Sequence, residues 1–458
     1  MPKDAERSQI VMPLKAKGEP EHGTALHGPR PGRRRIGLYL SLALVALAAI
    51  VILTSLLIHF TSTGLFAPSK RPIMSTVLAG PFGTFIKPPY NASQVNALMH
   101  LGDRMTYKQL AFLYVTHMSL AEKLGQLIMT ESEQNAYSDD LDYMITQLHV
   151  GGMIMYESHL QTADQARATT GQAQHRAKIP LLVSVDEEGG AYVNRLEHIY
   201  GSRPGPWEIY QSGNLNFDRQ QGMKIAQDLL TLGLNTDLAP DVDVMIVPGF
   251  DTADRTFGTT ADSVIKYAGP NIEAMQSHGL IACMKHYPGG LGDTPYDAHE
   301  ILPTDGRSRD QIYATELAPY KTLINSPNPL MRPGMIMSTD VLMPAIDPNM
   351  PAELSHKFMT DILRNEFGYE GVVLTDALYM GGISARWSEP EAAVLAIQAG
   401  NDMILSPMGS ARTAAVIEAL KQALYDGRLP MQRVNEAAAR IIALKMQYHL
   451  MPATPPRD

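Results

Sequence analysis

The residues with the clearest chemical potential lie in one short segment, from Lys285 to His299. It follows an apolar run over 280–284 that predicts a buried strand. The segment opens with a lysine–histidine pair, ends with an Asp-Ala-His triplet, and holds glycines that allow the backbone to approach a ligand closely. Histidine titrates near neutral pH, so this segment is a candidate for general acid/base chemistry.

Polar residues follow apolar runs elsewhere in the chain in the same way. They are Asp186-Glu187-Glu188, Asp241 and Asp243, Ser338 and Asp340, and Thr375-Asp376. The carboxyl ends of parallel strands open on one face of a barrel, where catalytic groups sit. We therefore expect these side chains to converge on one pocket with the 285–299 segment.

Short apolar runs alternate with amphipathic helical stretches from Ser119 onward, and a capping box at Ser119 and Glu122 opens the first helix. The runs cover 126–129, 152–156, 181–185, 234–239, 281–284, 334–337, 371–374 and 402–405. Continuous apolar strands separated by helices predict a parallel sheet, and eight such units predict a closed (β/α)8 barrel of the TIM type. An open doubly wound sheet is the alternative, although no glycine-rich nucleotide-binding loop follows the first strand.

Composition and missing motifs exclude several classes of function. The net charge of −9 and the lack of a basic stripe in the globular part argue against a nucleic-acid partner. The one cysteine, Cys283, excludes an intramolecular disulfide. Neither a Gly-x-Ser-x-Gly elbow nor a zinc-ligand spacing is present, although a metal site of scattered Asp and His residues stays open. The remaining carboxylates, histidines and lysine suit glycosyl transfer, in which one carboxylate attacks the anomeric carbon and another group protonates the leaving oxygen.

The N-terminal part predicts a single-pass membrane anchor. Residues 1–35 are polar and end in three arginines, which is typical of a disordered tail. Residues 36–60 hold no Asp, Glu, Lys or Arg and can span about 30 Å of hydrocarbon as a helix. The arginines place the tail in the cytoplasm and the rest of the chain outside the cell, whereas a cleaved signal peptide is the alternative. We expect a linker over 61–107, the barrel over 108–450 and a short tail over 451–458.

The motifs together resemble glycoside hydrolase family 3, and specifically its single-domain bacterial β-N-acetylglucosaminidase branch. The resemblance runs from about Met118 to Met446. The motifs that carry it are 118–126, 185–190, 235–243, 255–258, 285–289, 292–294, 297–299 and 371–380. Each is weak alone, but their order and separation make the set specific.

The resemblance implies a role for individual residues. Asp376 would be the nucleophile, and His299, supported by Asp297, would be the acid/base, because this branch carries an Asp-x-His dyad on the loop after strand five. The non-reducing sugar would be bound by Asp186, Arg195, Arg255, Lys285 and His286. No metal or cofactor is implied, the partner is a carbohydrate substrate, and we expect a monomer.

Plainer interpretations of three of these residues stay open. Asp376 follows a threonine and could be the N-cap of the next helix. His299 could be an ordinary surface histidine, and Arg255 could form a structural salt bridge.

The chain also departs from the family pattern. The family's Pro-Gly-His-Gly-Asp-Thr is here Pro288-Gly-Gly-Leu-Gly-Asp-Thr294, Ala298 stands where Ser is common, and the stretch Gly190–Arg195 is one residue longer. These changes bear on sugar preference. The resemblance implies a retaining exo-β-N-acetylglucosaminidase acting on cell-wall-derived or chitin-like oligosaccharides. The alternatives are a β-glucosidase or β-xylosidase, a phosphorylase, or a surface glycan-binding barrel without catalysis.

Overall fold

A closed barrel of eight parallel strands organises the part of the chain that the structure, a computed structural model, describes: residues 106–249, 253–293 and 297–453. Its strands are β1 (Ile128–Glu131), β2 (Gly152–Ile154), β3 (Leu182–Val185), β6 (Thr236–Asp237), β7 (Ile281–Tyr287), β8 (Met335–Ser338), β9 (Val372–Ala377) and β10 (Met403–Met408). Neighbours pair in that order, and β10 closes the barrel against β1. The predicted (β/α)8 architecture is confirmed, and the open sheet is excluded.

Several strand boundaries differ from the predicted ones. The helix Leu120–Gln126 includes Gln126, so β1 begins at Ile128 instead. β6 is only two residues long, since Asn235 bonds β3 partly through its side chain and Pro240 has no N–H to donate. β7 runs on through Lys285 and His286, because the segment 240–242 pairs with Lys285 and extends the ladder. The lysine–histidine pair therefore lies on a strand and not in a loop.

A two-stranded antiparallel hairpin follows β3 and lies outside the barrel sheet. It consists of β4 (Glu187–Gly189) and β5 (Val193–Asn194). Leu196 N–H donates to the buried Glu187 carboxylate at 2.9 Å, and Arg203 pairs with the same carboxylate at 2.9 Å. This hairpin brings the 190–195 stretch to the carboxyl end of the barrel.

Helices fill the connections between the strands. The α-helices are Tyr107–Thr116, Leu120–Gln126, Asp139–Thr146, Ala163–Arg176, Glu197–Tyr200, Pro206–Ser212, Leu215–Thr231, Ala261–Ser277, Arg309–Ala314, Leu317–Ile324, Gly381–Ser384, Glu389–Ala399, Gly409–Tyr425 and Met431–Gln447. A π-helix spans Lys357–Glu366, and 3-10 turns span Glu157–His159, Leu291–Asp293, Pro329–Met331 and Ala352–Leu354. The predicted capping box is present, since Ser119 and Glu122 exchange side-chain-to-backbone hydrogen bonds.

The amino-terminal end of β10 is held by a buried charge cluster. Asp402 accepts hydrogen bonds from Arg364 at 2.6 Å, Arg433 at 2.6 Å and Arg440 at 3.1 Å. Burial would raise the pKa of Asp402, but the three arginines outweigh it and lower the pKa to about 2. The cluster ties the π-helix and the C-terminal helix to the barrel.

The predicted anchor at 36–60 lies outside the described residues, as do the predicted tail at 1–35 and most of the linker. Within the described ranges, the helices are too short or too polar to cross a bilayer.

Candidate active site

One cavity of about 390 Å³ opens at the carboxyl ends of the barrel strands. All the residues predicted for the site line it: Asp186, Arg195, Arg255, Lys285, His286, Asp297, His299 and Asp376. They come from β7, β9, the hairpin and the loops after β3, β6 and β7. The structure therefore brings together side chains that are as much as 190 positions apart in sequence.

Buried ion pairs form one side of the cavity. Lys285 Nζ lies 2.6 Å from Asp186 Oδ1 and 2.6 Å from Glu188 Oε1. Arg255 donates to both oxygens of Glu188, at 2.8 and 2.9 Å, so the structural salt bridge considered for it is present. Burial would lower the pKa of Lys285, but Asp186 and Glu188 outweigh it and raise that pKa. Both cations stay charged, and both line the cavity as donors suited to sugar hydroxyls.

His286 connects this ion-pair network to the loop after β6. Its Nδ1 lies 2.7 Å from Asp243 Oδ2, and its Nε2 lies 3.3 Å from an Arg255 nitrogen. A guanidinium only donates, so Nε2 accepts and Nδ1 donates to Asp243. Burial lowers the pKa of His286 and favours this neutral form. His286 therefore orients Arg255 toward the cavity.

Asp241, Asp243 and His286 are the described residues whose spacing could suit a metal ion, since their ligand atoms lie within 4.8 Å of one another. Burial, followed by the charge of Asp243, raises the pKa of Asp241 well above its ordinary value. The guanidinium of Arg255 lies 3.9 Å from Asp241 Oδ2 and also contacts the histidine. Because the Arg255 guanidinium already faces this cluster, the charge of the cluster suits a bound proton better than a metal ion.

The Asp297–His299 dyad lies at the mouth of the cavity. Asp297 Oδ1 accepts from the backbone N–H of His299 at 2.8 Å and lies 2.7 Å from its Nδ1. The His299 side chain is 61% exposed and that of Asp297 24% exposed. Since the carboxylate holds Nδ1, Nε2 is the nitrogen that remains for proton transfer to a substrate. The His299 carbonyl accepts the N–H of Gly381 at 2.9 Å, which fixes the dyad loop against the chain after β9.

Asp376 lies near the end of β9 and is half-buried. Its Oδ1 accepts the N–H of Ala377 at 2.8 Å, and its Oδ2 accepts the hydroxyl of Thr339 at 3.3 Å. The helix that follows begins at Gly381 with Met380 at its N-cap position, so Asp376 does not cap it. A carboxylate held in this way, and lining the cavity, is suited to attack a bound sugar.

The 288–294 stretch, which departs from the family pattern, packs against the residues at and after the end of β9. Leu291 and Ala298 form a small buried cluster with Ala377 and Met380, and Tyr379 packs against it. Leu291 supplies apolar surface to the loop that follows β9. Leu291 and Ala298, both departures from the family pattern, thus belong to one apolar cluster.

Sequence reasoning missed several residues of the cavity wall. Tyr156, Tyr192, Tyr379, Met337 and Leu405 line it. The guanidinium carbon of Arg195 lies 6.0 Å from the centre of the Tyr156 ring, within cation–π range. The sequence predicts Glu188 only as one of the charged residues that follow β3. Its position two residues after Asp186 is the signal that could have identified it as part of the site.

The fold and the site define a class of protein. A closed parallel barrel carries a carboxylate at one strand end and a His–Asp dyad on a neighbouring loop, around a cavity lined by charged donors. This arrangement is that of a (β/α)8-barrel glycoside hydrolase, in which two groups act on opposite sides of a glycosidic bond.

The family follows from comparison with known proteins. Residues 119–444 match the model of the glycosyl hydrolase family 3 N-terminal domain, and the chain belongs to this family. It is 30% identical over 339 residues to β-hexosaminidase A of Pseudoalteromonas piscicida, covering 67% of this chain and 55% of that protein. It is 31% identical over 340 residues to β-hexosaminidase LpqI of Mycobacterium tuberculosis, covering 72% of this chain and 83% of that protein.

A solved structure is similar as well. The family 3 β-N-acetylglucosaminidase from Paenibacillus sp. FPU-7 superimposes with a TM-score of 0.69 at 34% sequence identity. The match covers 73% of this chain and 63% of that chain. The family predicted from the motifs is thus confirmed, whereas the roles of individual site residues stay predictions.

Proposed function

We propose that this protein is a retaining, exo-acting β-N-acetylglucosaminidase that removes terminal β-linked N-acetylglucosamine from cell-wall-derived or chitin-like oligosaccharides. The observation that carries the proposal is the shared cavity of Asp376 and the Asp297–His299 dyad. The names of the β-hexosaminidase relatives and of the Paenibacillus enzyme support the sugar specificity.

The reaction takes two steps. In the first, Asp376 attacks the anomeric carbon, the bond to the leaving oxygen breaks, and His299 gives that oxygen a proton. In the second, His299 takes a proton from water, the water oxygen attacks the anomeric carbon, and Asp376 leaves as a carboxylate. Asp297 supports the imidazolium that gives up its proton in the first step and forms again in the second, since its carboxylate lies 2.7 Å from Nδ1.

The charged side of the cavity would bind the non-reducing sugar. Asp186 is an acceptor for hydroxyl groups, while Lys285, Arg195 and Arg255 are donors. The dyad lies at the mouth of the cavity, so in this proposal the leaving group departs on that side. This arrangement fits an exo mode of action on chain ends.

We further propose that the enzyme is a monomer anchored by a helix over 36–60, with the barrel outside the cell. The uncharged run and the arginines before it support the anchor.

Hydrolysis of aryl glycosides tests the proposed activity. Full-length protein should release the chromophore from an aryl N-acetyl-β-glucosaminide much faster than from the matching glucoside or xyloside. Asp376→Asn should lose at least about 10³-fold in kcat, since the covalent step is removed. A fully active Asp376→Asn variant would contradict the assignment. Turnover that requires added phosphate would instead favour the phosphorylase.

A further inference from the structure

A buried glutamate that the proposed chemistry does not use lies against the nucleophile. Glu353 is 1% exposed and belongs to the 3-10 turn Ala352–Leu354. Its Oε2 accepts the backbone N–H of Asp376 at 3.2 Å. This is a direct hydrogen bond to the residue whose carboxylate must attack the sugar.

The backbone around Glu353 is anchored to the neighbouring strand ends. Its N–H donates to the carbonyl of Thr339 at 3.2 Å, and its own carbonyl accepts from the Asn401 side chain at 2.7 Å. Asn401 in turn accepts the hydroxyl of Ser338 at 2.7 Å. The backbone of Glu353 is therefore held between the chain just after β8 and the chain just before β10, next to β9.

Thr339 connects the two sides of this arrangement. Its carbonyl holds the backbone of Glu353, and its hydroxyl donates to Asp376 Oδ2 at 3.3 Å. The backbone of Asp376 is thus fixed by Glu353, and its carboxylate by Thr339. The two contacts together set where the attacking oxygen lies.

The surroundings of Glu353 are negative. Asp340 and Asp376 are the charges that act on it, and no salt bridge reaches it from elsewhere in the described ranges. Burial, followed by Asp340 and Asp376, raises the pKa of Glu353 well above its ordinary value. An uncompensated charge at this depth would cost several kcal/mol, so a proton on the carboxyl group is the stable state.

We propose that Glu353 is a positioning residue for Asp376 and that it acts as an uncharged carboxylic acid. This inference rests on the proposed function, in which Asp376 is the nucleophile. A neutral carboxyl group accepts the Asp376 N–H without placing a second negative charge beside the carboxylate that attacks and later leaves. An ionised glutamate there would oppose both steps, because the carboxylate of Asp376 must be regenerated next to it.

Two substitutions separate the hydrogen bond from the charge. Glu353→Gln keeps the size and an acceptor oxygen and is always neutral, so it mimics the acid form. Glu353→Ala removes the acceptor and leaves a gap beside β9. The matched control is Asp218→Asn, because Asp218 is also a buried acid whose pKa burial raises, to about 7, but it lies on the helix Leu215–Thr231 and does not line the cavity.

We expect Glu353→Gln to keep kcat within about threefold of wild type and to keep its pH profile, since the residue is neutral in both proteins. Glu353→Ala should lose about 10²-fold in kcat with KM little changed, as expected when a reacting group is misplaced by a fraction of the reaction distance. Asp218→Asn should leave both parameters unchanged. Circular dichroism and thermal unfolding of each variant show that the protein is folded.

Either of two kinetic results would overturn the inference: Glu353→Gln as impaired as Glu353→Ala, or Glu353→Ala as active as wild type. Infrared difference spectra of wild type against Glu353→Gln at neutral pH supply a test without turnover. A lost protonated-carboxyl band supports the neutral acid, and lost carboxylate bands refute it. Should wild type hydrolyse no glycoside at all, the proposed function fails, while the infrared result still decides the state of Glu353.

Discussion

Replacing Asp297 by Asn isolates the electrostatic part of the dyad. Asp297 Oδ1 accepts two hydrogen bonds from His299, one from the backbone N–H and one involving Nδ1. An asparagine keeps an oxygen acceptor of the same reach, so the shape of the loop should persist. What is lost is the negative charge 2.7 Å from the imidazole.

The size of the loss follows from the exposure of the pair. Two unit charges 4 Å apart interact by about 1 kcal/mol in water and about 4 kcal/mol near a protein surface. His299 is 61% exposed, so we take a value between these limits, about 2 kcal/mol. The first step starts from the imidazolium, so at an assay pH where an imidazole is mostly neutral this weaker stabilisation lowers the rate by about 30-fold.

Leaving groups of different basicity provide the assay. A dinitrophenyl leaving group needs little protonation, whereas a second sugar needs a full proton. We expect kcat/KM to fall about 30-fold on the disaccharide and less than about threefold on the dinitrophenyl glycoside.

Asp164→Asn is the matched control, because Asp164 is an exposed carboxylate that also forms an ion pair, with Arg167. It should change neither substrate's kcat/KM. An equal loss on both substrates, or no loss on either, would show that Asp297 does not act through the proton donor.

Three further predictions concern stability and the loop. Lys285→Met leaves Asp186 without its cation and Glu188 with Arg255 alone, so we expect the free energy of unfolding to fall by about 3 kcal/mol, measured by denaturant titration. The pKa of Asp402 is lowered to about 2, so its contribution to stability is present above its unfolded pKa near 3.8 and is lost as the pH falls toward 2. The melting temperature, measured from pH 5 to pH 2, should therefore depend less on pH in Asp402→Asn than in wild type. Leu291→Ala should cost about 2 kcal/mol and lower kcat on the disaccharide more than on the dinitrophenyl glycoside, since the dyad loop loses its apolar partner; equal kinetics in the variant and wild type would contradict this.

The barrel could be predicted because its signal is local. Each strand is a short apolar run, and each run is followed by a polar residue that marks the same end of the sheet. The boundaries could not, since they depend on partners elsewhere: β7 extends through Lys285 because residues 240–242 pair with it, and β6 is short because Asn235 bonds through its side chain.

The sequence predicts which residues belong to the site, but not which of them contact each other. The predicted residues share a cavity, yet nothing in the sequence indicates that Arg255 would pair with Glu188, or that Glu353 would contact Asp376. Such contacts join residues that are 67 and 23 positions apart, and periodicity carries no information about them. The sequence likewise does not indicate that Leu291, which departs from the family pattern, packs in one apolar cluster with Met380.

The hydrogen bond from Gly381 to the His299 carbonyl makes the loops after β7 and β9 a single unit for protein engineering. A Cβ atom at Gly381 would lie 2.3 Å from the carbonyl oxygen of Glu300, so even an alanine there would push the dyad loop away. Laboratory redesign of barrels often exchanges one loop at a time. Here a new aglycone preference would have to be selected from libraries that vary both loops together, because a change in either loop moves the proposed proton donor, His299, relative to the proposed nucleophile, Asp376.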